Sequence, residues 1–119
     1  MIPRIKKIKG SFDCDNGMTL WGVQSKRGID VCNTFTMAMR YWLWHCGVPA
    51  NIAFRSIKKH PYPLYYKTVY ITYADRIEGA IKESLAWLAV DDDCHYIWTL
   101  EDNTTVILDE NVLLWRYDD

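Results

Sequence analysis

The stretch Gly28-Ile-Asp-Val-Cys32-Asn-Thr-Phe-Thr-Met-Ala-Met-Arg-Tyr-Trp-Leu-Trp-His-Cys-Gly47-Val-Pro-Ala50 sets the reading of the whole chain. Its apolar positions Phe35, Met39, Leu43 and Cys46, with Ala38 and Trp42 beside them, recur at helical spacing and leave one face turned inward. Gly47 followed by Pro49 is a helix stop. The pattern predicts a helix over about residues 31–46, with Asp30 as a candidate cap. Cys32 falls on the same stripe, so its thiol is expected in the first turn of a buried-face helix. There the unpaired N–H groups and the positive end of the helix dipole favour a thiolate.

Outward from this helix, alternation dominates. The basic run Arg4–Lys9, with Ile5 and Ile8 as its apolar points, reads as an edge strand guarded by lysines. Asp15-Asn16-Gly17 marks a hairpin turn between Ser11–Cys14 and Met18–Val23. Residues 50–57 and Tyr65–Tyr73 are rich in aromatic and β-branched side chains and read as strands. Two prolines at spacing two make 58–63 a loop. The stripe Ile77, Ala80/Ile81, Ser84/Leu85 and Leu88 predicts a second helix over about 75–89. Cys94–Leu100, Thr104–Asp109 and Asn111–Trp115 complete the chain as short strands. The expected order is β-β-α-β-β-α-β-β-β: a single α+β domain spanning residues 1–119, its mainly antiparallel sheet packed on the first helix.

Composition narrows the function classes. Of 119 residues, 50% are hydrophobic and 24% charged, which is a globular balance. Fourteen basic against fifteen acidic residues leave a formal charge of −1, so bulk electrostatics give no drive towards nucleic acid. The basic runs Arg4–Lys9 and Arg55–Lys59 read as solvated faces. No run approaches the ~18 apolar residues of a membrane span, and the first residues lack the apolar core of a signal peptide. Cys14, Cys32, Cys46 and Cys94 form no C-x-x-C pair, so free thiols in a reducing cytoplasm are expected. Asp91-Asp-Asp93 reads as a charged turn, and neither His45-Cys46 nor Cys94-His95 has the spacing of zinc ligands, so no metal and no cofactor are expected.

Three residues could act together: Cys32 as nucleophile, His95 as base and Asp109 as the carboxylate that orients it. A three-residue loop of Glu101, Asp102 and Asn103 would pair Leu100 with Thr104. Counting back along both strands then sets His95 opposite Asp109, about 5 Å apart at Cβ. Asn103 suits the left-handed position that ends such loops. A two-residue loop would instead place Asp109 opposite Tyr96 and turn it away from His95, so the triad depends on one residue of register.

Cys32 followed by Gly47-Val-Pro-Ala50, with His95-Tyr-Ile-Trp98 and Val106-Ile-Leu-Asp109 downstream, resembles the core of the transglutaminase-like superfamily of papain-fold cysteine enzymes. The resemblance covers roughly residues 28–57 and 94–109. It implies Cys32 as nucleophile, His95 as base and Asp109 as the orienting residue, with Gln24 or Trp21 as candidate oxyanion donors. The activity it implies is acyl transfer or hydrolysis at a peptide or protein amide, as in a peptidase, a deamidase or a crosslinking enzyme. A catalytically silent version of the same fold would instead bind a protein partner, as an inhibitor or a phage or host-interaction factor does. Tyr62, Tyr65, Tyr66 and Trp115 are candidate exposed aromatics for that role.

Overall fold

Asp75-Arg-Ile-Glu-Gly79 is a tight reversal in the chain, and it separates the observed architecture from the expected one. The Asp75 carboxylate accepts the backbone N–H groups of Ile77 and Glu78 at 2.9 and 3.2 Å, and Gly79 takes a left-handed φ of 67°. These are the hydrogen bonds of an Asx turn, which a helix N-cap shares. In the computed structural model, which describes residues 2–9, 19–55 and 57–118, the segment predicted as a second helix is therefore a turn followed by a strand.

The chain divides into two compact units, Met1–Val48 and Pro49–Asp119. In the first, β1 (Arg4–Lys9), β2 (Thr19–Ser25) and β3 (Gly28–Cys32) form an antiparallel sheet in that order, followed by α1 (Phe35–His45). β1 is an edge strand as expected. The turn expected at Asp15-Asn16-Gly17 lies outside the described residues. Ile5, Trp21, Val23 and Cys32 pack with Ala38, Met37, Tyr41 and Trp42 of α1. On the opposite face Gly22 leaves room for Ile8 and Ile29, whose side chains would stand 2.6 and 3.2 Å from an added Cβ.

The first helix starts later than the sequence suggests. Thr34 is its cap, its hydroxyl accepting the Met37 N–H at 3.2 Å, while residues through Cys32 pair with β2. Asp30 is not the cap; its side chain bonds His45. The buried face is also turned from the expected stripe. Ala38 and Trp44 are buried, whereas Phe35 is half exposed and Cys46 lies exposed beyond the helix end.

In the second unit a short helix α2 (Ala50–Ala53) replaces the strand expected at 50–57. β4 (Val69–Asp75), β5 (Ala80–Val90), β6 (Tyr96–Leu100) and β7 (Val106–Leu108) form a meander. After a 3-10 turn at Asp109–Asn111, β8 (Val112–Tyr117) returns to the far edge and pairs with β4. All pairings are antiparallel, and the class is α+β. The core follows cross-strand rows: Val69, Ala86 and Leu100 stand opposite one another, as do Leu88, Trp98 and Ile107. Among the described residues no helix is long and apolar enough to cross a membrane.

Candidate functional site

Asp109 leaves the β7 ladder as the first residue of the 3-10 turn, and its carboxylate is held on both oxygens. Trp98 Nε1–H donates to Oδ1 at 3.0 Å and the Tyr62 hydroxyl donates to Oδ2 at 2.8 Å. Lys59 Nζ stands 3.1 Å from Oδ2 and donates to the Asp109 carbonyl at 2.7 Å. Trp98 is fully buried, and the Lys59 side chain is 12% exposed. The ion pair is thus mostly desolvated and its partners are complete, the arrangement in which such a pair is retained. Burial, and then the hydrogen bond to Asp109, push the Tyr62 hydroxyl well above the tyrosine range.

The loop carrying Lys59 and Tyr62 is pinned from β8. Trp115 Nε1 lies 2.8 Å from the Lys59 carbonyl and 2.9 Å from that of Pro61. The pinned loop walls a cleft of about 540 Å³, of the size that takes a drug-sized ligand. Phe54, Val112 and Leu113 give it an apolar lining, Arg55, Lys58 and Lys59 bring positive charge against Asp109, and His60 also lines it.

Tyr62 also starts a row of rings. His60 meets it edge-on at 4.4 Å between centroids, and Tyr96 lies 4.4 Å from it on the other side. Tyr65 follows at 6.4 Å from Tyr96, nearly parallel to it, with its hydroxyl hydrogen-bonded to Tyr96. Tyr96 is 39% exposed and Tyr65 51%, and Leu64 and Tyr66, on either side of Tyr65 in the chain, are also exposed.

The three residues expected to form a triad have other surroundings. The observed β6–β7 register pairs Ile97 with Leu108 and Trp98 with Ile107, one residue away from the register that would oppose His95 and Asp109. The loop has four residues, Glu101–Thr104, because Asp102 accepts from Thr104 N, Thr105 N and the Thr105 hydroxyl, and Leu100 N bonds Thr105 O. Asn103 is left-handed, as expected, with φ 62°. Asp109 consequently falls on the Tyr96 and Trp98 side of the hairpin. His95 lies ahead of β6, exposed, with Nδ1 3.7 Å from Asp91 Oδ2. His95 and Asp109 border one open depression of about 410 Å³ but make no hydrogen bond or ion pair with each other.

Cys32 ends β3 in the first unit, 5% exposed, outside the helix. Burial, and then the nearby Asp30 carboxylate, raise its thiol above the ordinary range, opposite to the expected activation. Beside it on the same sheet face Asp30 Oδ2 bonds His45 Nε2 at 2.7 Å. Gln24 pairs with Ile29 and Trp21 with Cys32 across the ladder. Asp91, Asp93 and His95 bring ligand atoms within 4.8 Å of one another in an exposed turn, but Asp91 Oδ1 already accepts the Asp93 and His95 N–H groups.

Compared with models of protein families, with curated proteins and with solved structures, the chain matches none. Sequence reasoning met Lys59 only in a basic run, Trp98 only as the end of the His95 motif and Tyr62 only as an aromatic. Lys59 sits in a basic run that looks solvated, and its carboxylate partner is 50 residues away.

Proposed function

We propose that the second unit is a peptide-binding module, and that the chain acts by holding a protein partner rather than by turning one over. The observation that carries this is the row of Tyr62, Tyr96 and Tyr65, whose first ring is half-buried against the core and whose other two are exposed. Rigid tyrosines bring large contact area at low entropic cost, and such residues dominate the energetics of interfaces. Exposed Leu64 and Tyr66, the chain neighbours of Tyr65, add apolar surface beside it. The engagement of Asp109 with Tyr62, Trp98 and Lys59 also supports a structural duty for that carboxylate, one that keeps the first ring of the row in place.

The test is selection of peptides from a displayed random library against the intact chain, followed by titration of the enriched sequences. Replacing both Tyr65 and Tyr96 with alanine should weaken the selected peptides by at least about tenfold. Cys32→Ala should bind them as the native chain does. Turnover of a peptide amide that disappears in Cys32→Ala would overturn the proposal in favour of a cysteine-dependent acyl-transfer enzyme.

A further inference from the structure

The cleft and the ring row share Tyr62, yet their chemistry differs. Three cationic side chains, Arg55, Lys58 and Lys59, line the cleft against one carboxylate, Asp109. Lys59 faces that carboxylate at 3.1 Å. Among the described residues, neither Arg55 nor Lys58 makes an ion pair. The cleft therefore carries a local positive excess in a chain whose formal charge is −1. Its apolar lining of Phe54, Val112 and Leu113 lowers the local dielectric, which strengthens attraction for a group that enters. Arg4 and Lys6 of the other basic run line a smaller hollow of about 160 Å³ with Ile2 and Gln24.

We propose that this cleft is the anion-binding half of the partner site, taking a carboxylate or phosphate group of an acidic peptide whose neighbouring aromatic or apolar side chain rests on Tyr62 and Tyr96. This inference rests on the peptide-binding role proposed above. Arg55 supplies a planar donor pair suited to either anion, and Lys58 a second, exposed point charge. His60, packed edge-on against Tyr62, marks the passage from the charged part to the aromatic part.

The intact protein is titrated with a capped Asp-Glu-Phe-Asp-Glu peptide, its Asn-Gln-Phe-Asn-Gln counterpart, phenyl phosphate and inorganic phosphate, with amide and tyrosine-ring shifts followed by NMR. The acidic peptide should move the amides of residues 57–60 and the rings of Tyr62 and Tyr96. The Arg55→Ala/Lys58→Ala double variant should bind it about tenfold more weakly, and added salt should weaken the native complex. Phenyl phosphate should compete with it. Both substituted residues are exposed, so the double variant keeps its fold. Equal binding of the neutral counterpart would overturn the anion site and leave the aromatic module standing. Acidic-peptide shifts in the cleft that survive Tyr65→Ala/Tyr96→Ala unchanged would keep the anion site and sink the module. Shifts from inorganic phosphate alone, without ring shifts from the peptide, would make this a free-phosphate site and overturn the peptide assignment. Failure of every probe to bind at about 1 mM would overturn it outright.

Discussion

Asp109 is one carboxylate with three side-chain partners, and its replacement exposes each of them. In Asp109→Ala the mostly buried Lys59 loses its counter-charge, and Tyr62 and Trp98 lose their acceptor. Leaving such groups unpaired should cost about 2–4 kcal/mol in urea unfolding. Asp109→Asn, which keeps an acceptor but not the charge, should cost less. If Asp109 served mainly to orient His95, both variants would unfold like the native chain. Cys32 gives a second residue-scale expectation. Its thiol is buried and its proton is held above the ordinary range near ~8.5. The neutral thiol thus persists through neutral pH, and the stability it lends is present below the unfolded value and fades as pH rises through the folded one. Iodoacetamide at pH 7.5 should label exposed Cys46 and Cys94 well before Cys32, and His95→Ala should leave the Cys32 rate unchanged. Fast labelling of Cys32 below pH 7, lost with His95, would restore the catalytic pair.

At the scale of elements, side chains that bond their own backbone decide where the chain turns. Thr34 caps α1, and Thr34→Ala should cost about 1 kcal/mol, measured by urea unfolding. Asp102 does the same work in the β6–β7 loop. Hydrogen bonds from the Thr105 hydroxyl first, then from the Thr105 and Thr104 N–H groups, hold its carboxyl at about 2, below the ordinary ~3.9. The folded hairpin therefore favours the ionised form. Its contribution is complete above the unfolded value and drains away as pH falls towards about 2. Carboxyl carbon shifts against pH should show Asp102 titrating last among the aspartates of the turns; an ordinary midpoint would refute the loop geometry. These same bonds explain what was legible in sequence. The left-handed Asn103 and the lysine-guarded edge strand follow from local chemistry alone. Loop length did not, because Asp102 could close a three- or four-residue turn, and that single residue of register separated an opposed His95 and Asp109 from what is observed. Ala80–Val90 misled for a related reason. Its alanines and leucines suit a helix, and Asp75 bonds like a helix cap, but pairing on both sides with β4 and β6 outweighs local propensity.

Across the whole chain the two units differ in what holds them. In the first, Val23, Cys32 and Ala38 form a buried cluster of small side chains, with Ile5, Trp21, Met37, Tyr41 and Trp42 partly buried around it. In the second, eight buried residues from Val69 to Val112, including Ile71, Leu88 and Trp98, knit four strands together. More apolar area per strand means a larger free-energy gap to local opening. Position in the sheet acts in the same direction: β4, β5 and β6 each have a neighbour on both sides, whereas β2 is the one strand of its sheet so placed. Native-state hydrogen exchange should therefore rank the amides. Those of β4 and β5 should be the slowest, with protection at least about tenfold above β2, and the edge strands β1 and β3 of the first sheet should exchange first. Substituting Leu88→Ala should lower protection throughout β4, β5 and β6 together, since its row with Trp98 and Ile107 spans the centre of that sheet. If β2 outlasted β4 and β5, the larger buried cluster would not be the more stable one, and the ring row that hangs from Trp98 and Asp109 would lack the rigid support that a preorganised binding surface requires.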